Sequence, residues 1–462
     1  MSIFPPEPKV NLYEEGFSES DILERAKVGT ALSDLLMRFD DPVVVALDGQ
    51  WGAGKTYFLK RWVGQHSKER NAKGRVVYFD AFAHDYVSDP LPALVSSLAE
   101  RLPESKSVDL QKLKKTAFKL VKPLAKIGLS VASFGATQAL NELGDAVVET
   151  VTSEAASSID DFWAEEHGRH QAMEEFRAVL ERLAAPPENQ ESVSPLIVVI
   201  DELDRCRPDY ALEVLEVIKH FFSVPHVHFV LGVNLAALEN SVRARYGDKI
   251  DAEVYLRKFI QLRLELPSDL GNWYEEKPAS LVYLTSLMKE LEINGLVSDA
   301  VLDKLALVSY YNEVSIRDVV TISSTVALAL GGVSEKTPLT KGELYVLVDL
   351  IISKCLRPDL FPKFLNAEIV ERDLSTYVGE NNPELAKVIS HHPKRKRLRA
   401  AGKAYEIWGF LSKAGKVSYE TIENKDRVGR GFDDFGLDEG DAQNLPLRLY
   451  RKHLEVFGFY GR

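Results

Sequence analysis

Cysteine is scarce: Cys206 and Cys355 are the only two in 462 residues. Two thiols cannot build a disulfide framework or a four-cysteine zinc site, and they suit a reducing compartment. Long apolar runs are missing too. No stretch reaches the ~18 uninterrupted apolar residues of a membrane helix. The nearest, Ile127 to Leu140, is broken by Ser130, Ser133, Thr137 and Gln138. The opening residues, Met1-Ser2-Ile3-Phe4-Pro5-Pro6-Glu7-Pro8, lack the charged-then-apolar order of a secretory signal. A cytoplasmic protein without a membrane span is expected. Positive charge is in deficit as well, with 57 lysines and arginines against 69 aspartates and glutamates, a formal charge of −12. That balance argues against a generic nucleic-acid coat, which needs a net basic face, and leaves room for a local basic patch. Internal repeats and low-complexity tracts are absent.

What is present suffices for a folded core, since 45% of the residues are hydrophobic and 27% charged. The length implies two or three domains. Residues 1–17 read as an N-terminal arm, proline-rich over 1–11. Ser18 to Phe39 reads as a helix, with Ile22, Leu23, Ala26, Ala31, Leu32, Leu35 and Leu36 near 3.6-residue spacing and Ser20 as its N-cap. Gly74 to Asp80 reads as a strand that runs into an aromatic-rich loop, Ala81-Phe82-Ala83-His84-Asp85-Tyr86; Leu91 to Leu102 follows as a helix. Residues 104–170 read as an insertion. Within it, Lys106 to Lys126 is a lysine-dotted amphipathic helix, and Ile127 to Ser158 is rich in small residues. A helical hairpin and a partner-docking or membrane-peripheral surface both fit that composition. Trp163 to Leu183 is a further amphipathic helix.

Leu196 to Ile200 and His228 to Asn234 are apolar without alternation, as parallel strands buried on both faces are. Ile260 to Leu266 alternates and reads as an edge strand. Past Pro267 the spacing becomes helical, over Ala279–Leu291, Asp299–Tyr310, Ile316–Leu330 and Leu339–Cys355, with Ser315 and Asp318 as a capping box. The fold class is α/β: a P-loop NTPase parallel sheet with helices on both faces, followed by an all-helical domain and a C-terminal extension. The boundaries are a core over 18–267, a lid-like helical domain over 268–360 and a C-terminal interaction region over 361–462.

The chemistry concentrates where Val43-Val44-Val45-Ala46-Leu47-Asp48 meets Gly49-Gln50-Trp51-Gly52-Ala53-Gly54-Lys55-Thr56-Tyr57. Gly49, Gly54, Lys55 and Thr56 match G-x-x-x-x-G-K-[ST] between a strand and a helix. Glycines let backbone N–H groups turn inward around a phosphate chain, and a helix N-terminus adds positive potential. Lys55 is suited to the β- and γ-phosphates and Thr56 to Mg²⁺.

A second signature is the acid pair Asp201-Glu202 ending a buried strand. Asp201 is suited to hold Mg²⁺ and Glu202 to activate water. Asn234, ending the next strand, fits either a water-holding sensor or the cap of a following helix. Arg205 and Arg207 fit either a guanidinium donated across a subunit interface or salt bridges with Asp204 and Asp209. Arg317 fits either a γ-phosphate sensor or a surface arginine paired with Asp318. Cys206 beside two arginines would favour thiolate. The guanine-reading N/T-K-x-D pattern is approached only by the misspaced Asn424-Lys425-Asp426, so ATP is the expected nucleotide. His391-His392-Pro393 has no partners at metal-ligand spacing. The basic run Lys394-Arg395-Lys396-Arg397-Leu398-Arg399 fits a solvated helix face or an acidic protein partner better than nucleic acid.

The glycine-rich loop, Gly49 to Thr56, resembles the tryptophan-bearing Walker A motif of the KAP family of P-loop NTPases. Asp201-Glu202-Leu203-Asp204-Arg205-Cys206-Arg207-Pro208 is similar to that family's extended Walker B motif. The likeness spans residues 18–330, through Asp21–Arg25, Tyr78–Phe82, Ala211–Lys219, Phe229–Asn234 and Tyr255–Gln261. Many KAP proteins carry transmembrane helices where this chain has its insertion, and relatives often have aspartate where Asn234 stands. The resemblance implies an AAA-like, additional-strand fold that binds MgATP between core and helical domain and hydrolyses it. It further implies the switch or motor of a bacterial antiviral (phage) defence assembly, with self-association or partner proteins of a defence operon. A non-turnover ATP-binding scaffold that recruits an effector, or a nucleic-acid-handling AAA-type ATPase acting through 394–399, are the alternatives.

Overall fold

The computed structural model describes residues 9–17, 21–70, 72, 75–102, 106–120, 159–185, 195–221, 223–270, 277–309, 311–331, 339–379, 404–405, 407–409, 411–412, 436 and 443–455. The expectations for 127–158, 391–399 and 424–426 lie outside those residues. Two compact units divide the chain near Pro267.

The first unit is built on five parallel strands: β1 (Val44–Asp48), β2 (Val76–Asp80), β3 (Leu196–Asp201), β4 (Val227–Val233) and β5 (Leu262–Glu265). Their order is β2-β3-β4-β1-β5. β4 therefore separates the strand that feeds the glycine-rich loop from the strand that ends in the acid pair. Every residue of β1, β3 and β4 is buried, which explains their unalternating runs. β5 pairs with β1 and alternates half-buried with exposed, as an edge strand does.

Strand periodicity sorts the core into two layers. Val45, Leu47, Val76, Ile197, Val199 and Val230 meet α1 (Arg25–Leu36) and α2 (Lys55–Glu69) through Leu32, Leu36, Phe58, Leu59, Trp62 and Val63. Val44, Ala46, Val77, Phe79, Val198, Ile200, Phe229 and Leu231 face the other way. There they meet α3 (Pro90–Arg101), α4 (Ser107–Leu120), α5 (Ile159–Ala184), α6 (Pro208–Phe221), α7 (Leu235–Tyr246) and α8 (Ala252–Leu256). Burial of a large apolar side chain such as Phe58 or Phe229 stabilises by roughly 1.5–3 kcal/mol.

α1 begins at Arg25, later than the spacing from Ser18 suggests. Glu24 sits at φ 49, a left-handed conformation that no helix propagates through, and Asp21 receives the Ala26 N–H, at 2.7 Å; the cap expected at Ser20 lies outside the described residues.

The second unit opens with a small antiparallel pair, β6 (Asp269–Leu270) with β7 (Lys277–Pro278). Its helices are α9 (Ala279–Glu290), α10 (Gly295–Val308), α11 (Ile316–Gly331), α12 (Lys341–Leu356), α13 (Phe361–Leu365), α14 (Glu371–Val378) and α15 (Leu445–His453). Caps set the starts. Asn294 accepts from Leu296 N–H, so α10 starts at Gly295 and not at Asp299. Thr340 and Glu343 form a capping box for α12, and Ser315 with Asp318 close the start of α11. Residues on both sides of 360 share one core, in which Trp408, Leu445 and Leu449 join Leu284, Val326 and Ile351.

Candidate functional site

All residues expected at the phosphate site except Arg317 belong to the first unit, and the sheet explains how they meet. β1, β2 and β3 each end in aspartate at the carboxyl edge, giving Asp48, Asp80 and Asp201, with Asp80 and Asp201 in register. Ligands of open parallel sheets bind at this edge, where strand order reverses.

Past β1 the chain turns through Gly52 at φ 90 and Gly54 at φ 85, a region open to glycine without strain. Gly49 N–H is held by Val233 O at 3.2 Å and by Asp48 Oδ1 at 2.8 Å. Asp48 is buried; it also accepts from Leu235 N–H at 2.8 Å and meets Arg263 Nη2 at 2.7 Å. α2 starts at Lys55, so its N-terminal N–H groups open into the loop. Lys55 is itself nearly buried, and its Nζ donates to the carbonyls of Gly49 and, at 3.2 Å, Gln50. Burial lowers the pKa of this amine, while Asp204, Asp201 and Asp48 pull it back up. Gln50, Trp51 and Tyr57 are exposed, and the Arg61 guanidinium lies 5.3 Å from the centre of the Tyr57 ring.

Beneath the loop lies a residue that sequence reasoning left without a role. Arg25 is buried, and its guanidinium donates to Ala53 O at 2.8 Å and Gly54 O at 3.1 Å. Desolvation brings its pKa down to about 10. A Cβ on Gly54 would stand 2.7 Å from Arg25 Nη1, a second reason for glycine there. The only sequence signal was its place in the Asp21–Arg25 stretch.

The acid pair is held from three sides. Asp201 is 1% exposed; Oδ2 accepts from the Tyr78 hydroxyl at 2.7 Å and Oδ1 from Glu202 N–H at 2.9 Å. Thr56 lies beside the same carboxylate, which brings the two motifs together. Burial raises the Asp201 pKa, with Tyr78, Thr56 and the Glu202 N–H opposing it. Glu202 sits at φ 59. Burial raises its pKa as well, Arg205 opposing, and its Oε1 meets Arg205 Nη1 at 2.9 Å.

Several expected pairings resolve differently. Arg205 pairs with Glu202 rather than with Asp204 or Asp209. Arg207 binds Asp85, at 2.9 Å from both its N–H and its Nε, and Asp209 meets Arg245 at 3.2 Å. Asp204 instead accepts from the Trp51 indole at 2.5 Å. Asn234 Oδ1 accepts from Ala237 N–H at 3.3 Å and caps α7. In the second unit, Arg317 is exposed on the first turn of α11, where the Asp318 carboxylate binds Ser315. The thiolate expected at Cys206 is reversed. Burial and the carboxylates of Asp85, Asp204, Asp80 and Glu202 push that thiol up, overriding its arginine neighbours.

A phosphate chain fits this geometry, with the N-terminus of α2, the Lys55 amine and a glycine-rich turn that carries positive φ at Gly52 and Gly54. A magnesium ion fits the oxygen chemistry of Thr56 and Asp201, hard donors around a buried carboxylate. Among the described residues, no group of three or more His, Cys, Asp or Glu side chains is placed to hold a metal alone. Such an ion would complete its shell from phosphate oxygens and water. A cavity of about 600 Å³ along the β2 edge, bordered by Tyr13, Tyr78, Asp80, His84 and Arg101, lies apart from the glycine-rich loop.

Comparison with known families gives a match to the KAP family P-loop domain over residues 25–325. No curated protein matches the chain. Among solved structures it is similar to the Aeropyrum pernix ORC2 protein in its ADPNP–ADP complexes, at 15% identity over 96% of this chain and 97% of that one, with a TM-score of 0.33. The ADP form of the same protein aligns at 14% identity over 97% and 95%, also at 0.33.

Proposed function

The chain belongs to the KAP family of P-loop domains, and from that premise we propose that it is an ATPase cycling between nucleotide states as the switch or motor of a larger assembly. One observation carries the hydrolytic reading: Asp201, held by the Tyr78 hydroxyl and the Glu202 N–H, lies beside Thr56 of the glycine-rich loop and next to a Glu202 made more basic by burial. The loop N–H groups and Lys55 bind the β- and γ-phosphates. Thr56 and Asp201 hold magnesium, which when bound supplies positive charge against the phosphate oxygens. Glu202 takes the proton of the attacking water, its side chain restrained by Arg205 until the base is needed. The family resemblance is the support for a bacterial antiviral setting and for partner proteins. No helix among the described residues is long and apolar enough to cross a membrane.

Purified protein tests the reading. Glu202→Gln should retain MgATP binding while turnover falls by a factor of about 10²–10⁴. Lys55→Ala should lose binding; undiminished hydrolysis in that variant would end the assignment. The solution mass of Glu202→Gln with and without MgATP then reports assembly. A mass that rises with MgATP supports a self-associating switch, and an unchanged mass directs the search to a partner protein.

A further inference from the structure

The two halves of the site hang from strands that do not touch. β4 lies between β1 and β3, so no ladder hydrogen bond links the glycine-rich loop to the turn carrying Glu202. The neighbouring β4 carbonyls of Val233 and Gly232 hold Gly49 N–H and Glu202 N–H, each at 3.2 Å, so a direct link must come from side chains. Thr56 lies beside Asp201. A direct hydrogen bond comes from Trp51, whose indole N–H donates to Asp204 Oδ2 at 2.5 Å across 153 residues of sequence.

This second contact has the wrong character for packing. Trp51 is 51% exposed, so its ring is poorly used as core. Asp204, by contrast, is 8% exposed, and a buried carboxylate needs a donor. It belongs to the single turn Leu203–Arg205 that follows Glu202, a turn that starts from a left-handed Glu202 backbone. The same turn supplies Arg205, which grips the Glu202 carboxylate. A movement of Asp204 would therefore be felt at the base through this turn.

We propose that Trp51 is a positioning residue for hydrolysis: through Asp204 it fixes the turn that aims Glu202 at the water, coupling the seating of the loop on phosphate to the base. The inference rests on the ATPase reading. Its effect belongs in kcat rather than in nucleotide affinity, because the indole acts on the base and the phosphates are held by other groups.

Kinetics on the full chain tests it. Trp51→Phe keeps an aromatic ring and removes the N–H, and its exposed position makes it a safe substitution for folding. We expect kcat to fall about 10- to 100-fold, as loss of one hydrogen bond to a carboxylate predicts. ATP affinity should stay within about threefold. Asp204→Asn, which keeps an acceptor oxygen, should recover part of the activity that Asp204→Ala loses. Trp51→Phe added to Asp204→Ala should cost nothing more. Weakened affinity with unchanged kcat, or additive losses in the double variant, would overturn the role. Failure of the ATPase reading shows elsewhere, as wild-type protein without turnover or as hydrolysis that survives Lys55→Ala, and it removes this inference with it.

Discussion

His66 lies within α2, fully buried, its Nδ1 2.9 Å from Ser33 Oγ and its ring 5.4 Å from that of Trp62. Trp62 donates to the same Ser33 hydroxyl and to Gly29 O, both at 3.0 Å, so the three side chains bind α1 to α2. Desolvation, helped by the charge of Arg70, lowers the His66 pKa from 6.5 to about 4. The folded state therefore takes the neutral ring and the unfolded chain the charged one. This contribution is fully present above the unfolded value, near pH 6.5, and is lost as pH falls toward 4, because unfolding then takes up a proton. A shift of that size corresponds to about 3 kcal/mol. Denaturant unfolding of wild type and His66→Gln across pH 7.5 to 4 checks it. The wild-type profile should be steeper on the acid side by about that amount, and parallel profiles would show that His66 ionises freely. None of this is legible in the sequence, where His66 is one polar residue on a helix.

At the scale of elements, Gly232 sets how closely β3, β4 and α2 approach. It is the register partner of both Leu47 and Asp201. A Cβ there would fall 2.3 Å from Asp201 Oδ1 and 2.5 Å from Leu59 Cδ1. Gly232→Ala should lose about 1–3 kcal/mol of stability through overpacking. It should also weaken magnesium-dependent ATP binding, since the group displaced is the metal-holding carboxylate. Gly49→Ala is the contrast in stability alone, for its Cβ would meet its nearest neighbours at 3.6 and 3.8 Å. Thermal unfolding separates the two variants, and ATP titration of Gly232→Ala checks its binding; equal stability would show that the sheet yields at Gly232. The sequence spoke clearly where local chemistry decides. Short β-branched runs bounded by turn residues read as doubly buried strands, and Gly-x-x-x-x-Gly-Lys-Thr suits little besides phosphate. It was silent where partners are remote, as for Arg25 under Ala53 and Trp51 on Asp204, contacts made across 28 and 153 residues. It misled where a charged neighbour in sequence is not the neighbour in space, as for Arg205, Arg207 and Cys206. The turn after β3 turns these side chains toward Glu202, Asp85 and the surrounding acids.

Across the molecule, two solutions to buried charge coexist. The first unit places its buried acids at a sheet edge, open to a cation and a ligand. The second buries one in its centre: Asp349 of α12 is 0% exposed and receives Lys304 Nζ at 2.9 Å, Trp408 Nε1 at 2.9 Å and the Tyr377 hydroxyl at 3.2 Å. Four separate segments are thereby fixed about one carboxylate. Removing one member of a buried ion pair leaves the other charge without compensation, so Lys304→Met and Asp349→Leu alone should each cost about 3–5 kcal/mol. An isolated pair replaced by apolar residues often regains that loss. Here it should not. With Asp349→Leu the indole and phenol donors stay buried without an acceptor, a penalty of about 1–3 kcal/mol each that Lys304→Met cannot relieve. Urea unfolding should therefore place the double variant between the single variants and wild type. Full recovery in the double variant would show that Tyr377 and Trp408 find other acceptors, and that the lysine–aspartate pair alone organises this core.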